Sequence, residues 1–218
     1  MNTKIVLLTC LCACIFLSAK SQTISRLNFD PIKGYLSQSG NYQQLIDRLN
    51  QGDTTLNHDN YINIYYGQLL QQNYAPYFDE NKSLTEIQKL VQSGNLDGAS
   101  DTLSEFLKSH PVSLGGIYTK IVIYAEKNNR LEKKRWTTIY RGLIDAITAS
   151  GDGKTDPSAM LVVHISDEYK VLPAFGVSSI GHEVLASHFD KQLLKQPNRD
   201  GLTELHFNVL TTMPGDKN

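Results

Sequence analysis

Two stretches of this chain place chemically capable residues at close spacing. The first is Ser150-Gly151-Asp152-Gly153-Lys154-Thr155, which contains G-x-G-K-T. The second is an apolar run, Ala159 to Ile165, interrupted only by His164 and followed by Ser166-Asp167-Glu168-Tyr169. An imidazole beside paired carboxyls could perform general acid–base work, and Asp152 supplies a further carboxyl. The candidates for a hydrolase-type site are therefore Asp152, His164, Asp167 and Glu168. Adjacent acids diverge in extended chain, however, so the sequence predicts that Asp167 and Glu168 occupy a solvated turn between two strands.

The tempting motifs fail on spacing. A nucleotide-binding phosphate loop needs G-x-x-x-x-G-K-[ST] between a strand and a helix. Here Thr148 stands five residues before Gly153, a helix precedes the loop and a strand follows it. The glycines have a simpler use. Gly151 is expected to be the left-handed residue just past a helix, Gly153 to allow a second unusual dihedral, and Asp152 to bind nearby backbone N–H groups. Asp152 and Asp156 begin like a calcium loop, but the alternating ligands and closing Glu are missing. His182-Glu183 lacks the second His of a zinc peptidase at the next helical turn, since Ala186 stands there. His188 could share a strand face with His182, and both are expected in solvent. No G-x-S-x-G elbow is present.

Period and punctuation then place the elements. Helices are predicted over 41–50, 58–72, 84–92, 96–109, 112–127 and 130–149, from apolar residues recurring at helical spacing. The lead-in 22–37 carries a turn signal at Asp30-Pro31. Gly94-Asn95 and Asn128-Asn129 sit 34 residues apart, with Ala99 after the first turn and Pro111 closing the unit. That pattern, over about Leu84 to Ala149, resembles a tetratricopeptide-type hairpin. Beyond Thr148 the period becomes two. A central strand is predicted at Ala159 to Ile165, another at Tyr169 to Leu172, and a hairpin of 187–195 and 202–210 around Asn198-Arg199-Asp200-Gly201, with 177–186 ambiguous. Helices followed by strands argue an α+β fold: a helical region 22–149, then an antiparallel sheet of about four strands in 150–212 packed on the helices, then a polar tail 213–218.

Eleven tyrosines against one tryptophan suit half-buried helix faces and contact surfaces. Tyr65, Tyr66, Tyr74 and Tyr77 are the candidates for binding, although Tyr74, Tyr77 and Phe78 are expected to pack over helix ends rather than to stack on a ligand. A net charge of -1 offers no basic field for nucleic acid. Met1 to Lys4 followed by an apolar Ile5 to Ala19 and the small-x-small site Ala19-Lys20-Ser21 reads as a signal peptide, residues 1–21, leaving Gln22 first in a secreted or periplasmic chain with no membrane span. Lipid anchoring at Cys14 is the lesser alternative. All three cysteines lie in the apolar run, so the mature chain has no thiol for catalysis, disulfide or thiolate metal binding, and no cofactor or metal is expected.

The order S-G-D-G-K, a spacer, an apolar strand, D-E-Y, then a terminal D-G hairpin and an aromatic strand resembles the "domain of unknown function 4919" family. Tyr65-Tyr66-Gly67 and Pro76-Tyr77 fit the same resemblance, which covers about Phe29 to Leu210. These are secreted or periplasmic proteins of the Bacteroidetes. The family carries no assigned activity, so the resemblance implies compartment and architecture and supplies no mechanism. Two expectations follow. One is a non-enzymatic protein that binds a protein or small-molecule partner of unknown identity. The other is a hydrolase using the acids around the 150–154 loop and Asp167-Glu168. Convergence of those acids in one pocket, or its absence, discriminates them.

Overall fold

Caps set the helices. The computed structural model describes residues 26–215 except Ser187. In it α1 spans Phe29–Leu36, α2 Asn41–Asn50, α3 His58–Tyr66, α4 Glu80–Gln92, α5 Leu96–Ser109, α6 Leu114–Glu126 and α7 Arg130–Thr148. Asn57, Asp79, Asn95, Ser113 and Asn129 each stand just before α3 to α7, and each side chain accepts a first-turn N–H that would otherwise lack a partner. The expected lead-in contains α1. Pro31 lies in its first turn, where the missing N–H removes no helical bond. The expected helix 58–72 ends at Tyr66 and tightens into a 3₁₀ turn over Gly67–Leu70.

Helix α3 is buried on most sides. Tyr61, Ile62, Ile64, Tyr65 and Tyr66 all belong to the core, together with Trp136, Ile139, Leu143 and Ile147 of α7. Tyr66 donates to the carbonyl of Leu161 at 3.1 Å, so this phenol fastens the helical layer to the strand that follows. Helices α4 to α7 pack on one another in chain order.

The sheet contains β1 (Met160–Val162), β2 (Ser179–Ala186), β3 (Phe189–Leu194) and β4 (Glu204–Val209), in the order β1-β4-β3-β2. β2–β3 and β3–β4 are antiparallel, but β1 runs parallel to β4, so the sheet is mixed rather than antiparallel. β1 is shorter than the predicted strand and lies at the sheet edge instead of its centre. All three of its residues are buried, with α7 packed on it and Tyr65 and Tyr66 of α3 bonded to the same segment, which is why its apolar run reads like a central strand. The larger correction concerns Tyr169 to Leu172. The chain there is not a strand: α8 occupies Asp167–Val171 and passes into a 3₁₀ turn with Pro173 near its start. Four residues are too few for period to separate the two states, and Asp167 and Glu168 suit the positive end of a helix. The ambiguous stretch is β2, and the hairpin forms between β3 and β4, with Gly201 at φ +64° and Asn198 bridging Lys195 and Leu202.

The architecture is α+β. Residues 1–21, where a signal peptide is expected, lie outside the described residues. Among the described residues no helix is long and apolar enough to cross a membrane.

Candidate functional site

The 150–158 loop is closed by its own polar groups. Ser150 is buried; its hydroxyl donates to the Ile147 carbonyl (2.6 Å) and accepts the N–H of Leu161 (2.8 Å). The Ser150 carbonyl accepts the N–H of Arg26. Asp152 accepts from the Lys154 N–H (3.1 Å), the Ser158 hydroxyl (2.7 Å) and the Arg26 guanidinium (2.7 Å). The Ser158 bond is the chief reason its carboxyl titrates below the ordinary aspartate range, with the Lys154 N–H next. Gly153 is left-handed at φ +66°, and its carbonyl accepts the N–H of His206 in β4. Gly151 departs from expectation: it is not among the positive-φ glycines. It is needed for space, because a β-carbon there would stand 2.4 Å from the carbonyl oxygens of both Ser158 and Ala159. Lys154 is exposed, and the loop leads into a 3₁₀ turn and β1.

The second acidic stretch is the opposite in kind. Asp167 is 0% exposed and Glu168 1%, not solvated as the turn reading expects. The short α8 turns Asp167 toward α3, where Tyr65 donates to it at 2.6 Å while accepting the N–H of Val163 at 3.0 Å. It turns Glu168 toward β3, where Gln192 donates to it at 2.7 Å and the Asp190 carboxyl lies within hydrogen-bonding contact. Burial pushes Asp167 well above the usual carboxylate range, with the charge of Glu80 adding and the Tyr65 bond opposing. Burial likewise pushes Glu168 up to about 8. His164 is buried beside the ring of Tyr74, and its burial lowers its pKa, favouring the neutral imidazole.

Above this layer lies a cleft of about 530 Å³ between the 77–81 segment, the start of α8 and β2. Tyr77 and Tyr169 line it with rings that are 51% and 45% exposed. Phe78 also lines it, stacked against His110 with ring centroids 4.4 Å apart. Asp79, Glu80, Lys170 and His182 supply its charge and polarity. Tyr77 donates to or accepts from Nδ1 of His188 at 2.6 Å, which fixes that wall to the β2–β3 turn. His182 and His188 are both exposed, as expected.

None of Asp152, His164, Asp167 and Glu168 lines the cleft. Asp152 is held at the loop, and the other three lie beneath the surface. Of the four tyrosines named as candidates for binding, Tyr65 and Tyr66 are fully buried, and the Tyr74 hydroxyl is held by the carbonyls of Val163 and Leu210. Only Tyr77 reaches the cleft, and Tyr169 of the D-E-Y motif forms another part of its wall. Sequence reasoning passed over Asp79, Glu80, Asp190 and Gln192. A signal for the last two existed: in Phe189-Asp190-Lys191-Gln192-Leu193-Leu194, alternation puts Asp190 and Gln192 on the face of buried Leu194. Among the described residues no three His, Cys, Asp or Glu side chains gather as a metal site.

Fold and site together define an α+β domain with an aromatic cleft above a buried carboxyl layer. The family model described as a domain of unknown function (DUF4919) matches residues 31–214, and the chain belongs to that family. No curated protein and no solved structure matches it.

Proposed function

We propose that this is an exported, non-enzymatic binding protein that holds a small ligand or a segment of a partner in the cleft between residues 77–81, α8 and β2. The observation that carries the reading is the contrast within the site. Tyr77 and Tyr169 offer exposed rings in a concave surface, whereas the candidate acid–base residues line no part of it. General acid–base groups must come within hydrogen-bond reach of substrate, and Asp167 and Glu168 are enclosed, with one oxygen of each held by Tyr65 and Gln192 respectively. Export is supported by the apolar run behind Lys4 and the small residues at 19–21. Mass spectrometry of the exported protein should find Gln22 at its N-terminus; a diacylglyceryl group on Cys14 would contradict this.

Chemical-shift mapping with a library of small aromatic fragments tests the cleft. Binders should move residues 77–81, 165–170 and 182, and Tyr77→Ala with Tyr169→Ala should abolish the effect. Binders that map elsewhere, or that survive the double substitution, would refute it. One observation favours the hydrolase reading: Glu168 sits near 8, a value that suits a general acid at neutral pH. Turnover of a model ester or glycoside that vanishes in Glu168→Gln while the fold persists would establish that reading instead.

A further inference from the structure

The cleft has a chemical bias. Asp79 and Glu80 both line it, against one ammonium, that of Lys170, and the imidazole of His182. Glu80 is 4% exposed. One of its oxygens accepts the Ser113 hydroxyl at 2.6 Å, and the other, Oε1, has no donor among the described residues. A carboxylate oxygen kept from water without a donor is unfavourable; Asp167 Oδ1 and Glu168 Oε1 in the layer beneath share that condition, but of the three residues Glu80 is the one that lines the cleft. The fold nevertheless makes room for it: a β-carbon on Gly115 would stand 2.6 Å from Oε1, so the start of α6 is bare where this carboxylate lies. Beneath the cleft, burial holds Asp167 and Glu168 toward their neutral forms, so they neither add to nor cancel the charge of Asp79 and Glu80, and among the described residues no buried Lys or Arg opposes those two acids from the core. Around it, Tyr77, Phe78 and Tyr169 provide aromatic rings, whose electron-rich faces attract cations.

We propose that the cleft binds an organic cation, a primary ammonium or guanidinium group, seated among these rings with its charge toward Asp79 and Glu80. The group can belong to a free amine or to a lysine or arginine side chain of a partner, since both present the same chemistry. The inference rests on the reading of the cleft as a binding site. Lys170 makes no ion pair with the acids among the described residues, so its ammonium opposes the incoming charge rather than replacing it.

The test compares benzylammonium with its neutral counterpart benzyl alcohol by NMR titration of the purified protein, following the rings of Tyr77 and Tyr169. The ammonium should bind about tenfold tighter, since an aromatic site with a nearby carboxylate favours the charged probe by that order. Asp79→Asn with Glu80→Gln keeps the α4 cap and the Ser113 bond and should cut the preference below about threefold. Lys170→Met, which leaves the acids untouched, should raise it. Spermidine and a blocked three-lysine peptide then distinguish the sources: the tighter binder identifies a free amine or a partner's side chain, and either result supports the cation. Equal affinity of the two benzyl probes would overturn the inference while leaving the binding cleft intact. Failure of both probes to perturb either tyrosine would overturn the cleft reading as well. An ammonium preference unchanged by the acid substitutions would also overturn the inference.

Discussion

Asp152 and Asp167 are the same residue type on either side of β1, and the fold treats them in opposite ways. Asp152 is a surface carboxylate that collects three donors and is held ionised. Asp167 is enclosed, has one donor, and is pushed toward its protonated form. Glu168, next to it, follows the same pattern. Donor count and burial, not residue type, decide which acid is charged. The lesson bears on function: the loop that looks like a ligand site is closed on its own polar groups, and the acids that look like solvated turn residues form a buried layer beneath the cleft without lining it.

The largest expected effect is on pH dependence. Glu168 moves from an ordinary value of 4.5 to about 8 on folding, so between those limits the native state holds a proton that the unfolded chain has released. Unfolding free energy should therefore fall as pH rises from 4.5 to 8, by an amount on the order of several kcal/mol. Asp152 contributes with the opposite sign, adding stability above its unfolded value and losing it as pH falls through its depressed folded value, and more weakly because water screens it. Asp167, raised in the same direction, adds to the decline, so denaturant melts across that range should show it and Glu168→Gln should make it shallower without removing it. A flat wild-type profile would erase the contrast between the two segments.

Next comes Gly151. Because its β-carbon would meet two backbone carbonyls, Gly151→Ala should already cost about 2 kcal/mol and Gly151→Val about 3 kcal/mol or more. A purely conformational requirement would make the alanine cost only about 1 kcal/mol, so the two melts separate space from dihedral. On the buried side, Tyr65→Phe strips the donor from Asp167 and the acceptor from the Val163 N–H. Such a loss should cost about 2 kcal/mol. The smallest effect belongs to Lys154, whose replacement by Ala should change stability by less than about 0.5 kcal/mol, as exposed positions usually do. Stabilisation of the wild type by Mg-ATP, lost in Lys154→Ala, would instead make the loop a phosphate site.

Much of the helical layer was legible because the helices from α3 to α7 carry apolar residues at helical spacing; α4 begins at Glu80, ahead of the expected start at 84, because its cap Asp79 and first turn are polar and show no such spacing. The β3–β4 hairpin was legible through Asp200-Gly201. What escaped was set by long-range packing. A run of five residues at α8 carries too little periodicity to reveal a helix, and without the helix the inward turn of Asp167 and Glu168 could not be foreseen. β1 reads as central since helix packing and sheet packing bury a strand equally well. The cleft was half visible: Tyr77 and Tyr169 stood among the singled-out residues, but Glu80 looked like an ordinary first-turn acid of α4. Only the approach of α6 and its bare Gly115 makes that carboxylate unusual.

The central claim is that Asp167 and Glu168 form a buried layer that keeps protons at neutral pH, while the loop acid Asp152 is a charged surface clasp. Carbon-detected NMR titration of the side-chain carboxyls of Glu168 and Asp152 in one sample tests it most directly. Glu168 should titrate near 8, and Asp152 below the ordinary aspartate value of 3.8. A Glu168 midpoint at its ordinary 4.5 would contradict the account, because that carboxyl would then be in water and within reach of a substrate.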